Sequence, residues 1–249
     1  IRMTLGVMDR DAGEITWNGG PLNRDTVRFG YMPEERGIYP KVKVIDQLVY
    51  FGELRGMSRK AAFESADRWL ARLGVTEYRD MMAEKLSKGN QQKIQLMAIL
   101  IPDPEMIFIV EPFTGLDPLK SVMGELIAEN KYIVMSSHQM ATVEEYCEDL
   151  VILTHGRTAL AGNLRQIKAG YGHTNLSVGC AADLLPLAEQ HGLRLIEKTA
   201  GGYEFKITGD EMANGFLRDM VARDIFPERF EIREPSLHEI FVEKVGEAG

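Results

Sequence analysis

The sequence predicts an α/β fold with a mainly parallel sheet, followed by a small α+β domain. Two observations carry this reading. Short unbroken apolar runs, Met106–Val110 and 132–135, alternate with helical patterns, as strands buried on both faces of a parallel sheet do. After Gly170-Tyr171-Gly172 the pattern changes to strand, helix, hairpin around Gly201-Gly202, helix, strand, helix.

The elements follow in order. Residues 14–18 alternate polar and apolar and stop at Gly19-Gly20-Pro21, a strand entering a turn. Residues 27–32 give a second strand, ended by Pro33. Helical periodicity runs over 44–73, and Ser87-Lys88-Gly89 opens another helix over about 90–101. The strand Met106–Val110 ends in Glu111-Pro112. A helix over 120–129, the strand 132–135 and a helix over 141–147 come next. Asp149–Thr154 and 158–161 flank His155-Gly156-Arg157 as a hairpin. The last helix begins Ser236-Leu237-His238-Glu239, the spacing of a capping box.

Composition sets bounds on function. The 249 residues, 45% hydrophobic and 27% charged, are the balance of a globular protein with room for more than one core. A net charge of −8 argues against a nucleic-acid partner. Two cysteines, Cys147 and Cys180, are no disulfide framework and suit a reducing compartment. No apolar run approaches the ~18 residues that cross a bilayer, so any membrane role runs through a partner. The start, Ile1-Arg2-Met3-Thr4, reads as the tail of a helix rather than a signal peptide, and the chain is expected to be a fragment.

Three segments carry chemistry. In Leu86-Ser87-Lys88-Gly89-Asn90-Gln91-Gln92-Lys93, Ser and Gly precede a helix, so free N–H groups and the positive end of the dipole face outward together, which suits a phosphate. A simple N-cap gives the same pattern. Glu111 stands at the carboxyl end of a buried strand, where open α/β sheets hold their ligands and a carboxylate can take a proton from water. A solvated loop residue fits it equally well. Ser136-Ser137-His138-Gln139 ends the next strand, and a lone histidine there also serves as a hydrogen-bonded structural residue.

Their order and spacing together resemble the ABC ATPase family, from the start of the chain to about Gly172. Residues 86–91 match the signature motif, Glu111 the catalytic glutamate, 115–118 (Gly-Leu-Asp-Pro) the D-loop and His138 the switch histidine. Tyr31-Met32-Pro33-Glu34-Glu35-Arg36-Gly37 and the tail Pro235-Ser236-Leu237-His238-Glu239-Ile240-Phe241 resemble the branch serving ABC-2-type exporters, including the sodium-extruding kind.

The resemblance implies an ABC-type P-loop ATPase core over 1–38 and 102–172. It places a helical signature subdomain at 39–101 and an accessory C-terminal domain at 173–249. It implies ATP and Mg²⁺ as cofactors, a head-to-tail pair of ATPase subunits and an ABC membrane-spanning subunit as partners. The location implied is peripheral, on the cytoplasmic face of the cell membrane. Glu111 polarises the attacking water and His138 contacts the γ-phosphate. Ser87, Lys88, Gly89, Asn90 and Gln91 contact nucleotide held by the opposite subunit, and Asp117 couples the two sites. Glu34 offers an oxygen to the metal.

Departures from the family accompany the matches. No G-x-x-x-x-G-K-[ST] occurs, so these 249 residues lack the loop that cradles the β- and γ-phosphates and are expected to be inactive alone. Val110 stands where the family carries the Walker B aspartate, and an apolar side chain cannot ligate Mg²⁺. Glu34 replaces the usual glutamine. The interval from Glu111 to His138 is several residues short, with the loss after Pro118, and a chain break is expected between 118 and 121. Two other readings compete: a soluble ABC protein of repair or translation, and a degenerate module that no longer hydrolyses ATP. The first calls for two cassettes or a heptad-bearing insert, and the sequence shows neither.

Overall fold

The computed structural model describes residues 1–23, 26–34, 37–111 and 117–247; for 117–121 and 245–247 only the backbone is described. Its contacts divide the chain into two units, Ile1–His138 and Gln139–Gly249.

The first unit opens on a closing helical turn, as the sequence suggests. Leu5 N–H bonds Ile1 O at 3.0 Å, Gly6 N–H bonds Met3 O at 3.1 Å and Val7 N–H bonds Arg2 O at 2.9 Å. With Gly6 at φ 65°, this is a Schellman ending. Strands β1 (Thr16–Trp17) and β2 (Gly20–Pro21) pair across Asn18-Gly19. Both turn residues have positive φ, 50° and 78°, which matches the twist of a two-residue hairpin.

The sheet that positions the site is β3 (Phe29–Met32), β4 (Met106–Val110) and β5 (Tyr132–Ser136), parallel and in that order. β4 lies in the middle, and its apolar run is buried at four of five residues. Helices α1 (Val44–Leu54) and α2 (Arg59–Arg72) cross at Gly52, where a Cβ would lie 2.8 Å from that of Ala62. Ser58 caps α2 by accepting the Ala61 N–H. Two 3₁₀ turns, Thr76–Tyr78 and Ala83–Lys85, lead into α3 (Lys88–Leu100). Helix α4 (Asp117–Ala128) runs without a break through positions 118–121. No break falls at the positions where one was expected.

In the second unit α5 (Met140–Tyr146) precedes the hairpin of β6 (Asp149–Thr154) and β7 (Arg157–Asn163), followed by α6 (Leu164–Tyr171). Then come β8 (Asn175–Gly179), α7 (Leu185–Gln190), β9 (Arg194–Thr199), β10 (Gly202–Lys206), α8 (Asp210–Ala222), β11 (Arg229–Arg233) and α9 (Leu237–Glu247). The βαββαβ segment forms an antiparallel sheet in the order β11-β8-β10-β9, the ferredoxin-like arrangement. Leu176, Val178, Tyr203 and Phe205 face a core shared with Leu187, Ala213, Phe216 and Met220. Gly202, at φ 140°, brings β10 so near β8 that a Cβ there would sit 2.0 Å from the Val178 carbonyl.

The sequence places the change of texture at Gly172, whereas the contacts divide at His138. The reason lies in one apolar cluster. Leu150, Ile152 and Leu164 of the hairpin and α6 pack with Leu237 of α9, and Met140, Val143 and Phe241 close around them. The expected capping box is present: Ser236 N–H bonds Glu239 Oε2 at 2.9 Å, and Glu239 N–H bonds Ser236 Oγ at 3.3 Å.

Candidate functional site

Register fixes where the site residues emerge. Met32 pairs with Ile109 and Ile109 with Met135, so the three parallel strands end level. Glu34, Glu111 and His138 therefore leave the sheet at one edge, the carboxyl edge where open α/β sheets bind ligands.

Glu111 has φ 49°, a left-handed conformation that is strained for a side chain of this kind. Its N–H still continues the ladder, bonding Ser136 O at 2.8 Å. The turn of the backbone sends the carboxylate across the end of β5. There it accepts the His138 N–H at 3.1 Å and the Ser137 hydroxyl at 3.4 Å. His138 Nδ1 lies 2.7 Å from the same carboxylate. Glu111 is 24% exposed and His138 77% exposed, so an inner carboxylate is paired with an outer, solvent-facing imidazole. Ser137 is the partner that sequence reasoning quoted without assigning it a role; its place next to His138 was the available signal.

The open end of α3 carries the second group of predicted residues. Ser87 caps the helix, its Oγ accepting the Asn90 N–H at 3.3 Å. That leaves the N–H groups of Lys88 and Gly89 at the positive end of the helix. A Cβ on Gly89 would meet nothing within 4 Å, so a ligand has free approach to this backbone. Lys88 is exposed and Asn90 half-buried.

Gln91 has a different task from the one the resemblance implies. It is 9% exposed, and its Nε2 donates to the carbonyls of Ala83 at 2.9 Å and Leu86 at 3.2 Å. It braces the turn behind Ser87 and does not face the opening. Val110 closes β4 as a half-buried apolar residue paired with Ser136 and offers no metal donor. Glu34 is exposed at the level of Glu111. Asp117 begins α4, its side chain lying outside the described residues, as do Gly115 and Leu116. Among the described residues no three His, Cys, Asp or Glu side chains gather to hold a metal ion.

A parallel sheet with an acid and a histidine at its carboxyl edge, and a capped helix presenting bare N–H groups, make an α/β unit suited to an anionic ligand such as a phosphate. Comparison with known proteins gives the particular family. Residues 1–114 match the model described as "ABC transporter", and 162–245 match "ATP-binding protein DrrA1-3-like, C-terminal domain". The chain is 40% identical over 252 residues to the uncharacterized ABC transporter ATP-binding protein YhaQ of Bacillus subtilis, covering 99% of this chain and 84% of the relative. It is 41% identical over 254 residues to BpOF4_11395, an uncharacterized ABC transporter ATP-binding protein of Alkalihalophilus pseudofirmus, covering 100% and 95%. That alignment is longer than this chain, so the relative carries residues without a counterpart here. A solved structure of an ATP-binding subunit of an ABC transporter superposes with TM-score 0.60 at 28% identity, over 68% of this chain and 75% of that one. The chain belongs to the ABC transporter ATP-binding proteins. It is an ATP-binding subunit of an ABC transporter, with the ATPase activity of its family.

Proposed function

We propose that this subunit powers an ABC-2-type exporter from the cytoplasmic face of the cell membrane, docked on a membrane-spanning partner. Two copies pair head-to-tail around the nucleotides, an isologous arrangement. The observation that supports this most is the Glu111–His138 pair at the carboxyl edge of the sheet. Glu111 takes a proton from the attacking water, and the Ser137 and His138 donors aim its carboxylate. His138 trades its bond to Glu111 for the γ-phosphate. Ser87 Oγ and the N–H of Gly89 meet the γ-phosphate held by the opposite copy, and Asp117 links the two sites. Phosphoryl transfer needs little more than such positioning and charge stabilisation.

The donor set suits Mg²⁺ only as an ion that keeps its phosphate and water ligands, because Glu34 is the carboxylate on offer beside apolar Val110. Bound Mg²⁺ neutralises charge on the phosphates. The test is reconstitution of the full-length protein with a membrane subunit. Mg-ATP should drive dimerisation, and Glu111→Gln should trap the dimer. Failure to dimerise with either protein overturns the composite site.

Val110 favours a second reading, a module that binds partners without hydrolysis. Turnover by the intact protein that vanishes in Glu111→Gln excludes it.

A further inference from the structure

Two glutamines of the first unit are buried almost completely. Gln47 on α1 is 1% exposed and Gln95 on α3 is 3% exposed. A buried amide is destabilising unless its donors and acceptor are met, so the partners of each show what the residue holds. Both reach the same segment, the connection from β3 to α1. Gln95 Nε2 donates to the Pro33 carbonyl at 3.1 Å. Gln47 Oε1 accepts the Tyr39 N–H at 3.0 Å, and its Nε2 donates to the carbonyls of Tyr39 at 3.4 Å and Val42 at 3.3 Å. The Tyr39 ring also stacks on Phe51 of α1, with centroids 5.9 Å apart. One amide thus holds the entry of the connection and the other its exit, each from a different helix.

The entry is the more consequential end. Pro33 immediately precedes Glu34, so the Gln95 bond fixes the peptide from which the Glu34 side chain departs. β3 and α3 have no room to slide there, since a Cβ on Gly30 would lie 2.9 Å from the Ile99 carbonyl. The same helix carries Ser87 and Gly89 at its other end.

We infer that Gln95 and Gln47 are positioning residues that fix Glu34 relative to the open end of α3. On the proposed function, on which this rests, Glu34 faces the nucleotide of its own subunit while Ser87 faces that of the opposite one. A rigid α3 with Gln95 at its middle therefore keeps the two sites in step. Neither glutamine touches nucleotide.

The experiment uses the full-length protein and the variants Gln95→Met and Gln47→Met, which keep length and lose hydrogen bonding. Ser65→Ala is the control: Ser65 Oγ donates to the Ile101 carbonyl at 3.1 Å, a buried bond at the far end of α3. Without nucleotide, amide exchange over 33–42 should quicken about tenfold in both glutamine variants, with α3 unchanged. The Mg²⁺ concentration for half-maximal ATPase should rise roughly fivefold, with the KM for ATP little moved. Ser65→Ala should do neither. Unchanged exchange over 33–42, an equal effect of Ser65→Ala, or quickened exchange with an unmoved Mg²⁺ requirement each overturns the inference. If the wild-type protein neither binds nor hydrolyses ATP, the functional reading fails, and the exchange data still decide whether the clamp exists.

Discussion

The two units handle their polar groups in opposite ways. On the outer face of the ferredoxin-like sheet, Asn175 and Ser177 are buried at 3% exposure and fully engaged. Asn175 donates to both oxygens of Glu239 at 2.9 Å, and Ser177 accepts from Arg229 at 2.9 Å. Lys168–Glu144 at 2.6 Å and Arg233–Glu204 at 3.2 Å add further ion pairs, although buried Arg233 Nε and the Tyr171 hydroxyl have no hydrogen-bond partner among the described residues. In the first unit the polar groups at the strand ends sit on a strained backbone beside an exposed imidazole, and α3 presents the bare Lys88 and Gly89 N–H groups behind its Ser87 cap. A network closed on itself stabilises a fold. One left partly open has free energy to give to a ligand.

The largest expected effect tests the open side. Glu111→Gln preserves size and still accepts the His138 N–H, but removes the base. In the intact protein, hydrolysis should fall by ~10²–10⁴-fold with ATP binding retained. Single-turnover kinetics and equilibrium binding measure the two separately. Turnover at the wild-type rate would mean that the pair at the carboxyl edge is structural, like those in the second unit.

Next comes the closed side. Gly202→Ala forces a side chain into positive φ and against the Val178 carbonyl. Relieving such a clash costs about 3 kcal/mol or more. A calorimetric scan should show the second unit melting earlier, with ATP affinity unchanged. Lost affinity would mean the two units are not separable in function.

Much of this contrast was legible in the sequence, and the limits have physical causes. Met106–Val110 coincides with β4 because an unbroken apolar run bounded by Glu-Pro is a local signal. The capping box, the β6–β7 hairpin and the β9–β10 hairpin rest on chemistry within a few residues. What depends on distant packing was not legible. The unit boundary shifts to His138 because Leu237 joins the cluster around Leu150 from the far end of the chain. Gln47 and Gln95 look like ordinary polar positions in a helical pattern, and the resemblance assigns Gln91 to nucleotide, since a pattern records polarity and not where an amide points. The left-handed Glu111 carries no sequence mark of its own, as glycine would.

A smaller effect concerns Val110. Placing a carboxylate there supplies the oxygen that the position lacks, so Val110→Asp should lower the Mg²⁺ needed for half-maximal ATP binding by about tenfold. Titration of the intact protein with Mg²⁺ at fixed ATP checks it. No change would show that the edge of the sheet is already complete without a second acid.

The smallest effect probes how tightly the closed network is bound to charge. Burial disfavours ionised Glu239. Hydrogen bonds from Asn175 and from the backbone and hydroxyl of Ser236, with the charge of Lys206, outweigh it and hold the carboxyl below its ordinary 4.5. The folded state thus binds this proton more weakly than the unfolded chain does. The stability it contributes is present above pH 4.5 and is lost as pH falls through the folded value, below 4.5. Glu239→Gln keeps an acceptor for Ser236 and Asn175 and removes the charge, so it should cost about 1 kcal/mol at neutral pH. Urea melts at neutral pH and about pH 3 should show the gap between wild type and variant narrowing in acid. A gap that stays constant would assign Glu239 a packing role, and the closed network would then owe nothing to ionisation.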